Sequence, residues 1–410
     1  MTSDSKTETA KITDTGTMKA GAAGVVTART ATSRRLAIFL SGLRAELPML
    51  AGIATTVVVF TVGKSWSTDF SNLALTAAVF AWLFAVMIWC AFGVVRHAEV
   101  LADYFGEPYG TLVLTLVVVS IEVTIMATVM LSGGPNPTLP RDTVYSVLMI
   151  VLNGMVGLSV IVGALRHKQQ QYNLQGAVAF LAVITSLSVI SLVLPTLTKS
   201  TPDASMTHLQ AVVFGTLTAL LYGGFLIIQT MRHRTFFVET AGRGSPGAHG
   251  PDEAHGHAAA YPVWLHGMLM IGTLLPVVLL AKPLAKIIDF GLEVLHAPTA
   301  LGGIVIAVLV LSPEGVTSFR AASRNQLQRA VNLSLGSALS TVGLTIPAML
   351  AIHLITGTPL ELGLAPVEAV LLVLSLLIAN MTFSGAPTNI LLGGVHLVLF
   401  VTFIVLIFNP

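Results

Sequence analysis

VVVSIEVTIMA at residues 117–127 and VLVLSPEGVTSF at residues 308–319 decide the fold, because each sets one acid, Glu122 or Glu314, inside a long apolar run. The runs extend over about 108–131 and 298–320, lengths that cross a hydrocarbon core of about 30 Å as α-helix. Glu122 falls some fourteen residues into its run and Glu314 some sixteen, so at about 1.5 Å per residue both lie at hydrocarbon depth. A carboxylate there costs on the order of 3 kcal/mol to insert, which makes an intramembrane acid a functional residue by default. The bland alternative is a protonated, hydrogen-bonded packing residue.

The rest of the chain agrees with a membrane setting. Of its 410 residues 54% are hydrophobic and only 10% charged, with a mean hydropathy of +0.84, too little polar surface to clothe a water-soluble globule of this size. Eleven candidate spans follow, near 46–63, 73–95, 108–131, 143–164, 175–197, 207–230, 263–281, 298–320, 330–355, 366–383 and 388–408. Strand-like alternation is absent, so the expected fold is an all-α polytopic bundle whose backbone satisfies itself in lipid. The lone cysteine, Cys90, lies in an apolar run and excludes both an intrachain disulfide and a thiolate cluster.

Residues 1–45 are rich in Thr, Ser, Ala and Gly and are expected to form a disordered cytoplasmic tail. The tail has no early apolar stretch followed by a small-residue cleavage site, so it does not read as a secretory signal. Residues 46–70 hold a first membrane helix, 71–230 a first repeat and 263–410 a second. Between the repeats, 231–262 reads as a polar linker carrying His249, His255 and His257 beside Asp252 and Glu253. That cluster suits either a solvated linker or transition-metal binding and pH sensing. With the amino terminus inside, sixteen of the 21 lysines and arginines fall on inner segments and five on outer loops. The bias favours a cytoplasmic amino terminus and an external carboxyl terminus, in the inner membrane. The basic residues form no nucleic-acid patch, and none sits deep in a span, so the interior offers acids without bases and favours cations.

The two quoted stretches share Ser-x-Glu, with Ser120 before Glu122 and Ser312 before Glu314. A second match pairs LLYGGFLI at 220–227 with LLGGVHLV at 391–398. Spans two to six and seven to eleven thus read as two five-helix units behind one extra helix. An odd number of helices makes the second unit enter from the opposite side, the inverted repeat of many secondary transporters, whose site lies near the midplane.

Two facing carboxylates cannot both stay ionised without a cation; otherwise they take protons, so metal and protons compete for the same oxygens. A divalent ion displacing two protons leaves the site's charge unchanged. Calcium takes about six to eight oxygen ligands, so Ser120, Ser312, Asn153 in VLNGMVGL and Ser337 in LGSALSTVGLTIP are candidate helpers. Each of the four also suits plain helix-to-helix hydrogen bonding. Ser-x-Glu spacing sets the two side chains about 200° apart on an ideal helix. Serine and glutamate can share a face only if the helix breaks, and Pro313 and Gly315 are the residues expected to break it, freeing carbonyls. Glu99, Asp103 and Glu107 read as solvated charges at the mouth of span three, and Glu368 as a charge near the outer end of span ten, with a proton relay as its functional alternative. His353 and His396 read as hydrogen-bonded helix contacts.

The stretches GEPYGTLVLTLVVVSIEV, NGMVGLSV, QQYNLQGAVAFLAV, SPEGVTSFRAASRNQLQRAVNLSLGSALSTVGLTIPA and TFSGAPTN resemble, in order, the ChaA calcium/proton antiporters of the calcium/cation exchanger superfamily. The likeness spans nearly everything after the tail except the central loop. It implies eleven helices, alternating access, exchange of Ca²⁺, Na⁺ or K⁺ against protons without a cofactor, and ion binding by Glu122 and Glu314. The chain departs from the wider superfamily in having Val119, Ser120 and Ile121 where Gly-Asn often precedes the first glutamate. Neutral Asn153 and Ser337 also stand where sodium/calcium exchangers commonly add an acid, which suits proton exchange. The expected function is export of Ca²⁺ against protons, with Na⁺ or K⁺ in its place as the nearest alternative. A channel, a scaffold or an intramembrane enzyme fits less well: the chain has no HExxH and no nucleophile elbow. Oligomeric state is not legible.

Overall fold

The computed structural model describes residues 44, 46–67, 69–106, 109–131, 137–201, 204–232, 236–237 and 262–409. Nearly all of the tail, the linker histidines His249, His255 and His257, and Glu107 lie outside the described residues. Eleven apolar helices follow one another: α1 Leu47–Thr61, α2 Leu73–Phe105, α3 Tyr109–Leu131, α4 Leu139–His167, α5 Leu174–Leu197, α6 His208–Met231, α7 Val263–Val294, α8 Ala300–Ser323, α9 Leu327–Thr356, α10 Pro366–Thr382 and α11 Ile390–Phe408. No strand occurs among the described residues. Nine of these helices are long and apolar enough to cross a membrane, and α1 and α10 are shorter apolar helices.

Local chemistry sets the ends. Asn72, Asn173 and Asn389 each turn a side-chain carbonyl back to accept amides in the first turns of α2, α5 and α11, while Thr207 and Gln210 form a reciprocal cap on α6. Glu368 does the same work at α10, its carboxylate accepting the Ala365 amide. His353 contacts the Thr358 carbonyl just past the end of α9, where Gly357 takes the left-handed φ of 71° that favours glycine. Two helices outrun their expected limits. α2 and α7 have 33 and 32 residues, so Arg96, Lys282 and Lys286, expected in loops, ride on helix. At about 1.5 Å per residue such helices are nearly 50 Å long and must tilt or project beyond the hydrocarbon. A second correction concerns Pro313 and Gly315, which do not break α8; it runs on from Ala300 to Ser323.

Helix packing in the two halves follows a matching pattern. Long α2 packs on long α7; α3 packs on α9 as α8 packs on α4; and α6 lies on α9 as α11 lies on α4. α4 and α9 are the most buried of the long spans, and each contains a π-helical turn, at Ile150–Met155 and Thr341–Thr345. The clearest sign of the symmetry is a pair of isolated antiparallel bridges, Gln170 to Thr388 and Ser205 to Glu361. Each joins the segment after a central helix (α4 or α9) to the segment before the last helix of the other half. Outside the core the helices present Leu220, Leu391, Val398, Ile355 and Trp264, all strongly exposed, a surface suited to acyl chains and not to water.

Candidate cation site

Both glutamates meet one face of α9. The Glu314 carboxylate accepts from Ser337 Oγ at 2.5 Å, and the Glu122 carboxylate accepts from Thr341 Oγ1 at 2.9 Å. Ser337 and Thr341 are four residues apart, so acids from opposite halves of the chain converge within one helical turn, about 6 Å along the axis. Thr345, four residues further, continues the same face. Among the described residues its Oγ1 and Oε1 of Glu122 are buried with no partner at full hydrogen-bond distance, and the Thr345 hydroxyl itself lies beside the Glu122 carboxylate. Glu122 is 3% exposed, whereas Glu314 is partly exposed.

The π turn at Thr341–Thr345 begins at the residue that holds Glu122. A π turn widens the helix by about one residue and often marks a functional position; here it spans Thr341 and Thr345. Neither glutamate is ion-paired among the described residues, whereas Arg141 pairs with Asp142 at 2.8 Å. No three His, Cys, Asp or Glu side chains cluster to hold a metal among those residues. A cation carried here would be held by two carboxylates with hydroxyl help, all oxygen donors of the kind that hard cations take.

The candidate helpers divide. Ser337 stands beside Glu314, as its place in the sequence allowed. Ser120 and Ser312 do not reach the carboxylates: their hydroxyls donate to Leu116 O and Val308 O of their own helices. With α3 and α8 intact, the 200° spacing turns each serine away from its glutamate. Asn153 is fully buried but belongs to another network, in which its amide donates to Ser375 Oγ at 2.8 Å and its carbonyl meets His396 Nδ1 at 3.3 Å. His396 in turn meets Thr382 Oγ1 at 2.9 Å. Thr341 and Thr345 were not singled out in the sequence. Their signal was nonetheless present, since Ser337, Thr341 and Thr345 recur every fourth residue and so stripe one helix face.

Comparison with known proteins places this chain in a family. The family described as "Sodium/calcium exchanger protein" matches residues 75–231 and 265–409. The sodium-potassium/proton antiporter ChaA of Escherichia coli is 36% identical over 363 residues, covering 88% of this chain and 96% of that protein. A Ca²⁺/H⁺ antiporter of Aphanothece halophytica is 23% identical over 268 residues, 63% of this chain and 70% of that one. Among solved structures, native YfkE superposes with a TM-score of 0.67 at 16% identity, covering 89% of this chain and 99% of that one. The H⁺/Ca²⁺ exchanger CAX gives 0.62 at 11%, covering 88% of each; at such identities the likeness concerns the fold. The chain is therefore a multi-pass membrane protein belonging to the sodium/calcium exchanger family, a family of secondary cation antiporters and not of enzymes.

Proposed function

We propose that this protein exchanges cytoplasmic Ca²⁺ for protons by alternating access, with Glu122 and Glu314 holding the metal and the protons in turn. The observation that carries the reading is the convergence of both acids on Ser337 and Thr341, one turn of α9. Two carboxylates together carry the charge that a divalent ion cancels, and two protons cancel it equally well. Loading either therefore leaves the site neutral, and a neutral site is the one that can be closed off from water at low cost. Ser337 and Thr341 orient the carboxylates, and Glu122 Oε1 with the neighbouring Thr345 Oγ1 supplies further oxygens to a metal. The inverted repeat supplies the movement, one half rocking against the other around a fixed site. In the proposed orientation the amino terminus is cytoplasmic, and the cytoplasmic opening loads the metal while the outer opening loads protons.

A second reading makes Na⁺ or K⁺ the cargo. It is favoured by the extensive match to an antiporter named for sodium and potassium. The test is proton movement driven by each cation in proteoliposomes at equal ionic strength. A response to Ca²⁺ alone supports the first reading, a response to Na⁺ or K⁺ alone replaces it with the second, and no response to any cation overturns both.

A further inference from the structure

One turn below the two glutamates, toward the α8–α9 connection, lies a knot of hydroxyls that the site does not use. Ser318 is four residues after Glu314 on α8, and Ser334 three residues before Ser337 on α9. Ser318 Oγ meets Ser334 Oγ at 3.0 Å and Ser159 Oγ, from α4, at 3.2 Å, and can turn its one proton instead to the Ala330 carbonyl at 3.3 Å. All three serines are buried, Ser318 completely. The pair Ser318–Ser334 repeats the pair Glu314–Ser337 across the same helix interface, displaced by about 6 Å. Arg320, Arg324 and Arg329 surround that end of the hairpin, with Arg166 and Lys168 at the end of α4.

We infer that Ser318, with Ser334 and Ser159, forms the proton path between Glu314 and the arginine-bearing face of the membrane. The inference rests on the reading that Glu314 takes up protons. Hydroxyls are suited to this task and not to passing a metal. In each of the two serine–serine contacts either oxygen can donate, so a proton entering at one hydroxyl releases another from the next, and the chain returns to its starting state by rotating its O–H bonds. A metal ion would need about six to eight oxygens at 2.3–2.6 Å, whereas these hydroxyls touch one another directly inside a closed helix interface. The step between Ser337 and the serine knot is one turn, a distance that a bridging water covers. Serines that only glue helices together would serve cation and proton movement alike; a proton path separates the two.

That separation defines the experiment. In proteoliposomes, wild type, Ser318→Ala, Ser318→Ala with Ser334→Ala, and Ser318→Thr are compared in two assays: cation uptake driven by a pH gradient, and tracer self-exchange of the same cation at equal pH on both sides. The alanine variants are expected to slow proton-driven uptake about tenfold or more while self-exchange stays within about twofold, with threonine restoring the rate. Equal slowing of both assays, or no slowing of either, overturns the path. Wild-type protein that exchanges cation for cation but never for protons overturns the proposed function itself, and the path with it.

Discussion

Glu122 and Glu314 lean on neighbouring hydroxyls of one helix, and the hydrogen bonds that fix them are worth about 0.5–1.5 kcal/mol each when the acids are protonated and about 1.5–3 kcal/mol when they are ionised. Thr341→Ala is therefore expected to weaken cation binding about tenfold or more, seen as a raised half-saturation concentration in transport assays. Ser120→Ala and Ser312→Ala should leave transport within about twofold of wild type, because their hydroxyls are spent on their own helices. The acids themselves stood out in the sequence, since a carboxylate in hydrocarbon is costly to insert, and the structure brings both onto one helix. Of their hydroxyl partners Ser337 was legible and Thr341 was not. Ser-x-Glu drew attention to the serines beside the glutamates, whereas the partners come from α9 and, for Glu122, from more than two hundred residues away.

At the scale of helices, the spans were readable because apolar length is set by the bilayer. The π turns were not, because a widened turn leaves no mark in hydropathy. Pro313 also misled: within a helix held by neighbours on both sides, the loss of one amide leaves α8 continuous. Close packing supplies a further test in α11. A methyl on Gly393 would lie 2.9 Å from the Gly157 carbonyl and 2.7 Å from Ile161, while one on Gly394 would meet nothing within 4 Å. Gly393→Ala is expected to lower stability in detergent by about 1–3 kcal/mol, and Gly394→Ala to change it little. Equal melting of the two variants would contradict the packing of α11 on α4.

The described residues are tied at two matching bridges, and under the proposed alternating access those ties would part in turn. Residues opposed across an antiparallel bridge have Cα atoms about 4.5–5.5 Å apart, a separation that a disulfide spans. With buried Cys90, the only native cysteine, replaced by alanine, oxidised Gln170→Cys with Thr388→Cys is expected to stop exchange, and a reductant to restore it. Ser205→Cys with Glu361→Cys should behave alike. Full-rate exchange by either cross-linked protein would show that the bridge does not open during the cycle. The repeat behind this symmetry was visible in two short sequence matches, but its bridges join polar segments that no pattern would have paired.

The central claim is that one pair of acids serves both ions, and cation-induced proton movement in proteoliposomes holding an imposed pH gradient tests it most directly. Wild type, Glu122→Gln and Glu314→Gln are compared with Ca²⁺, Na⁺ and K⁺. The account predicts that at least one cation collapses the gradient in wild type and that neither glutamine variant responds to it. Normal exchange by both variants would show that the glutamates are packing residues and would contradict the account.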